Sequence, residues 1–107
     1  MALNRDQILE RRRLLKKEYG ELYDQLTALL FRHDPAHINF EVNKDEYQIE
    51  VDSILPRLGT CQSQPEVEEV IHEEFTRLFD PMTAGPRQKY VAIAAEVWEL
   101  WQNFNRT

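Results

Sequence analysis

The sequence predicts an all-α fold, a small antiparallel bundle of three to four helices opened by a long first helix. Three observations predict it. Apolar residues recur in steps of three and four through every long segment, the spacing of a buried helical stripe. Helix-stop and helix-start residues (Asp34-Pro35, Gly59, Ser63-x-x-Glu66, Asp80-Pro81) fall between those segments. One short stretch, Ala36 to Val42, alternates with period two, and a lone strand has nothing to pair with.

The first helix is expected from about Asn4 to Arg32. Ile8, Leu15, Tyr19, Leu22, Leu26 and Leu29 form a heptad seam, and Gly20 is its weak point, at a cost of about 1 kcal/mol relative to alanine. Its first half is thin in apolar residues and rich in charge. Residues 1–18 are therefore read as a helical arm that projects from a single domain spanning 1–107, or pairs with another copy. Proline disfavours helical geometry in the residue before it, so Asp34 is the exit. The connector that follows is read as an extended loop that plugs Ile38 and Phe40 into the core.

The second helix is expected to start at Asn43, where Asn43-x-x-Glu46 resembles a capping box, and to bury Tyr47, Val51, Ile54, Leu55 and Leu58. Pro56 loosens its last turn, and Gly59 is expected in the left-handed C-terminal position. The third begins with the capping box Ser63-x-x-Glu66 and Pro65 in its first turn. It faces Val67, Val70, Ile71, Phe75, Leu78 and Phe79 inward and Glu66, Glu68, Glu69, Glu73 and Glu74 outward. After a Met82–Gly85 loop, the fourth helix starts at Pro86 and runs to about Phe104. Its seam is Tyr90, Ala94, Val97, Trp101 and Phe104, widened by Val91, Ile93, Trp98 and Leu100.

Size and charge narrow the function classes. The chain of 107 residues allows one domain. A single cysteine, Cys61, forms no internal disulfide, the start of the chain has no apolar leader, and the longest apolar run is far short of a membrane span. We therefore expect a cytoplasmic protein without a membrane partner. Up to Gly20 the chain carries six basic residues (Arg5, Arg11, Arg12, Arg13, Lys16 and Lys17) against three acidic ones, a net of +3, within a total of −6. The acidic remainder argues against nucleic acid and favours a basic protein partner.

Candidate chemistry is sparse, and no catalytic residue or cofactor is expected. His33, Asp34, His37 and Glu41 are metal-ligand types gathered in one connector, but Pro35 breaks the helix that would align the two histidines. Solvated loop residues, with Asp34 capping, are the favoured account of them. Glu69-x-x-His72 has the spacing of paired-metal helical bundles, yet those need two such motifs, so His72 reads as part of a charged face. Asp45 and Glu46 suit a helix start better than acid–base work beside Asp34. Cys61 has no motif-borne partner that would make it a nucleophile. Trp98, Trp101 and Phe104, with Leu15 and Tyr19 of the first helix, are the candidate interface, since such aromatic residues serve as core or as energetic anchors of interfaces.

The segment from Asp34 to Leu58 resembles small bacterial helical proteins grouped as a domain of unknown function. Asp34 and Pro35 match an Asp-Pro after their first helix. Asp45, Glu46 and Tyr47 match a polar-Glu-Tyr opening, and Ile54 and Leu58 the helical spacing beyond it. The resemblance covers about a quarter of the chain and implies a helical fold and a bacterial origin, with no activity. The long basic first helix departs from that pattern. The expected function is an acidic, non-enzymatic protein-interaction module, in one version an immunity-type inhibitor of a basic partner, acting as a homodimer. The alternatives are a metal-binding or metal-dependent helical enzyme and a structural homo-oligomer.

Overall fold

Glycine alone decides how the chain begins. In the computed structural model, which describes residues 3–36 and 47–106, Gly20 adopts φ 54° and ψ −126°. L-residues with a Cβ rarely take that conformation. The expected single long helix is therefore two, α1 (Arg5–Tyr19) and α2 (Glu21–His33). The heptad seam runs unbroken in sequence because the break turns both helices inward: Leu15 is buried before it, and Leu22 and Leu26 after it. Asn4 caps α1 reciprocally with Gln7, each side chain accepting the other's backbone N–H at 2.8 and 3.0 Å. Asp34 ends α2 in the left-handed region, with φ 48° and its N–H donated to the Leu30 carbonyl.

α3 (Gln48–Leu58) and Tyr47 before it bury Tyr47, Val51, Ile54, Leu55 and Leu58, the stripe read from the sequence. Its expected start at Asn43 and the plug of Ile38 and Phe40 lie outside the described residues. Gly59 is right-handed (φ −61°, ψ −20°) instead of left-handed. The chain leaves α3 through two tight turns, from Thr60 N–H to the Arg57 carbonyl and from Cys61 N–H to the Leu58 carbonyl. α4 (Gln64–Leu78) starts after Ser63, but the expected capping box does not form. The Glu66 carboxylate accepts the Gln62 N–H at 2.5 Å, while the Ser63 side chain caps no backbone N–H.

Asp80-Pro81 ends α4 and at once begins another element. The Asp80 carboxylate accepts the Thr83 N–H at 2.7 Å and caps a one-turn helix, α5 (Pro81–Ala84), where a loop was expected. These backbone and hydroxyl donors hold the Asp80 carboxyl below its ordinary pKa. Pro86 does not open the last helix. A 3₁₀ turn over Arg87–Tyr90 intervenes, and α6 runs Val91–Arg106.

Described residues form no strand, and the all-α expectation holds, with six α-helices in place of three or four. Four of them close a ring: α2 on α3, α3 on α4, α4 on α6, and α6 back on α2. Leu26 and Leu30 of α2, Val51 and Ile54 of α3, Ile71 of α4 and Val97 of α6 meet at its centre around a space too small for a water molecule. α1, which contains most of the segment read as a projecting arm, lies against α2 and α3.

Beside this aliphatic centre stands an aromatic one. Phe75 packs against Tyr47, Phe79 and Tyr90 with ring centroids 5.9, 5.6 and 5.4 Å apart. Tyr90 donates its hydroxyl to the Ala84 carbonyl, and burial pushes its pKa up to about 12. Burial, and next the Asp52 carboxylate, push Tyr23 up as well. In the unfolded chain both phenols titrate near 10, so folding stability is whole below that pH and drains as pH rises above it. We expect a loss of about 2 kcal/mol between pH 10 and pH 11, with Tyr90→Phe reducing it by about half. Urea titrations at the two pH values measure this, and equal midpoints would refute it.

Candidate functional site

Four of the six basic residues of α1, Arg11, Arg12, Arg13 and Lys16, are engaged within the molecule. Pro56 has no N–H, so the helical donor due to the Asp52 carbonyl is missing. Arg11 supplies it, donating from Nη2 at 2.9 Å. Arg12 donates from Nε at 2.9 Å to the Asp52 carboxylate, which also accepts the Tyr23 hydroxyl at 2.6 Å. Asp52 and Tyr23 are buried and Arg12 nearly so, its side chain 16% exposed. Arg13 pairs with Glu10 at 2.6 Å. Lys16 stands 5.3 Å over the ring of Tyr23, within reach of a cation–π attraction. A proline gap in α3 thus seats the basic cluster of α1.

The acidic face of α4 is largely neutralised in the same way. Arg57 reaches Glu73 at 2.8 Å and Glu74 at 3.6 Å, Arg77 reaches Glu74 at 3.1 Å, and Arg87 reaches Glu68 at 2.9 Å. Glu66 and Glu69 are the carboxylates of that run outside any ion pair among the described residues. The same holds for Glu18, Glu21 and Glu99. Glu18 and Glu21 flank the junction of α1 and α2, and Glu99 lies on α6. Exposed cations stand among them: Lys17 beside Glu18 and Glu21, and Arg106 at the end of α6, where it donates to Asn103 at 3.2 Å.

That end is aromatic. Tyr19 lies 6.3 Å from Trp101 and 5.6 Å from Phe104, and the two α6 rings stack at 5.7 Å, all three half-buried. Trp98 is also half-buried, packed on the core one turn earlier. Leu15 is buried within this chain's own core. Of the five residues read as an interface, three make one cluster, Trp98 adjoins it along α6, and Leu15 belongs to the core of the chain itself. Tyr19 arrives there because Gly20 ends α1 at the position where α6 finishes.

Beside the cluster a groove of about 340 Å³ runs between α2 and α6. Leu29, Ala28 and Leu100 give it apolar walls, Gln25, Asn103 and Glu99 line it toward the aromatic end, and Arg32 and Glu96 close it. Arg32 donates to Glu96 at 2.5 Å, and His33 Nε2 meets the other oxygen of the same carboxylate.

The metal-ligand candidates come apart. His33 serves Glu96. Asp34 accepts the Tyr47 hydroxyl at 2.6 Å, and that hydroxyl in turn accepts the Ala36 N–H at 3.1 Å. His72 Nε2 bonds the Gly85 carbonyl at 3.0 Å, and its ring rests 5.6 Å from Tyr90. Glu69 is exposed, and His37, Glu41, Asp45 and Glu46 lie outside the described residues. Among the described residues no three His, Cys, Asp or Glu side chains come together to hold a metal ion. Cys61 is buried, and that burial raises its thiol pKa, the opposite of what a nucleophilic cysteine needs.

Two features escaped the sequence reading. Asp52 was hidden because a carboxylate in a helix reads as solvent-facing, although Pro56 four residues on was a signal that its carbonyl needed a donor. The groove was hidden because it depends on which helices become neighbours. No helix among the described residues is long and apolar enough to cross a membrane. Nothing among protein families, curated proteins or solved structures matches the chain.

Proposed function

We propose that this chain is a non-enzymatic protein-interaction module that takes a basic protein partner at the end where α1, α2 and α6 meet. The observation that carries the reading is the half-buried cluster of Tyr19, Trp101 and Phe104, bordered by carboxylates outside every ion pair among the described residues. Aromatic side chains of this kind bury large area at low entropic cost and act as binding anchors. Glu18, Glu21 and Glu99 around them offer contacts to a cationic surface, with Lys17 and Arg106 set among them. The acidic face of α4, favoured by sequence alone, is the weaker docking surface because Arg57, Arg77 and Arg87 already occupy it. An immunity-type inhibitor of a basic toxin, working in a bacterial cytoplasm, is the concrete form we favour.

The test is affinity capture with the chain as bait, wild type beside Trp101→Ala. A basic protein retained by the wild type and bound roughly 30-fold more weakly by the variant is the expected result. Circular dichroism of the variant guards against a folding defect. Recovery of the chain's own copies alone would replace this reading with the homo-oligomer. Stoichiometric metal in protein purified without chelators would replace it with the metal-dependent alternative.

A further inference from the structure

We infer that the recess bounded by α1, α3 and the end of α4 binds a monoanionic carboxylate that carries an alkyl chain. This site goes beyond the interaction reading and uses other residues. The recess encloses about 300 Å³, at the low end for small-ligand sites. Leu3, Ile8, Ile49 and Leu78 wall it. Leu3 and Ile49 are large apolar side chains left 43% and 55% exposed. Their convergence on one concave place gives an alkyl chain apolar surface to cover.

The polar part of the lining selects the charge. Arg11 donates from Nη2 to the Asp52 carbonyl and joins no ion pair, so its Nε and Nη1 have no acceptor among the described residues. Arg77 commits Nε and Nη2 to Glu74 and Ser53, and its Nη1 is likewise left over. The Ser53 hydroxyl accepts from Arg77 at 3.3 Å and donates to nothing among the described residues. Asp52, the carboxylate of the lining, already accepts from Arg12 and Tyr23. The lining therefore has donors to offer, and its acceptor is occupied. Its ion pairs, Arg12 with Asp52 and Arg77 with Glu74, are neutral, which leaves Arg11 as one positive charge. A monoanion answers that charge, and a carboxylate presents two oxygens to a guanidinium fork. Carboxylates nearby do not take the place. Glu10 is held by Arg13, Asp6 comes within ion-pair distance of neither guanidinium, and Asp80, two residues past Leu78, caps α5. Glu50, next to Ile49, is buried and is not part of the lining.

The experiment is an amide chemical-shift titration of the full ¹⁵N-labelled chain with octanoate. Octanol, octylammonium and octyl phosphate, which share its alkyl chain, are the controls. Saturating shifts at Leu3, Ile8, Ile49, Ser53 and Leu78 are expected with octanoate at millimolar concentration. Octanol should bind roughly tenfold more weakly, octyl phosphate no more tightly, and octylammonium should leave those amides in place. Ile49→Glu, at an exposed position, should weaken octanoate roughly tenfold, and Arg77→Gln roughly fivefold, with the helical circular dichroism of both variants unchanged. The site is overturned if octanoate leaves those amides unmoved, or if octylammonium saturates them too. Octanol binding as tightly as octanoate would remove the charge from the argument and overturn it, as would tighter binding of octyl phosphate. Wild-type affinity in both variants would do the same. Octanoate shifts centred on Trp98, Trp101 and Phe104 would put the alkyl chain elsewhere and also overturn the proposal.

Discussion

Replacing Phe75 with alanine should cost about 3–5 kcal/mol of folding stability, the largest effect of any single truncation expected in this chain. Phe75 is fully buried in α4, and its ring touches three others, Tyr47 at the start of α3, Phe79 at the end of α4, and Tyr90 in the 3₁₀ turn before α6. Truncation would open a cavity among rings that cannot all move in, because Tyr47 is tied to Asp34 and Ala36 and Tyr90 to Ala84. Domains of this size are stable by about 5–15 kcal/mol in total, so the loss would remove a large share of the whole. Phe75→Leu keeps most of the volume and should cost about 1.5 kcal/mol. Urea unfolding of both variants measures the difference. A Phe75→Ala loss below about 1 kcal/mol would mean that the aromatic centre does not carry the packing described here.

Asp52→Ala should cost about 2–4 kcal/mol, less than a wholly buried pair because Arg12 retains contact with solvent. The substitution removes the acceptor of both Arg12 and the Tyr23 hydroxyl. It leaves a guanidinium and a phenol in a nearly dry place, and that unmet desolvation is most of the cost. Arg11 keeps its bond to the Asp52 carbonyl, since a backbone oxygen survives any side-chain change, so α1 should stay docked by one tether. Asp52→Asn retains an acceptor for one donor and should cost about half as much. Protection of α1 amides from hydrogen exchange, compared with α4 amides, gives the local readout. Equal loss in both helices would show that Asp52 supports the whole core and not the seat of α1.

Much of the architecture was legible in the sequence. The buried positions of α3 and the inner face of α4 follow from the three-and-four beat of apolar residues, because burying that stripe is the main reason those helices form. α2 is instructive in the other direction. Its heptad seam names Leu22, Leu26 and Leu29 but passes over Tyr23 and Leu30, which are equally buried. A seam describes a helix with one neighbour, and α2 has α1, α3 and α6 around it. The break at Gly20 was visible as a weak point but not as a turn, since a glycine in a helical pattern can be tolerated at modest cost. The candidate site was legible in part: Tyr19, Trp101 and Phe104 stood out by type, and their meeting did not.

By itself, then, the order of residues determined that this chain is helical, where most of its helices stop, and which residues go inside. Each of those follows from interactions among residues a few positions apart, which a linear string records. The tertiary structure alone decided that the carbonyl exposed by Pro56 receives Arg11, that Arg57 of α3 and Arg87 of the 3₁₀ turn reach the acidic face of α4, and that Tyr19 meets Trp101 and Phe104 at the end of α6. Those outcomes depend on which groups are brought within a few ångströms of one another across long separations, 40 residues for Arg12 and Asp52 and 64 for Arg32 and Glu96. Coulombic and hydrogen-bonding energies fall off with distance in space, and distance along the chain does not report it.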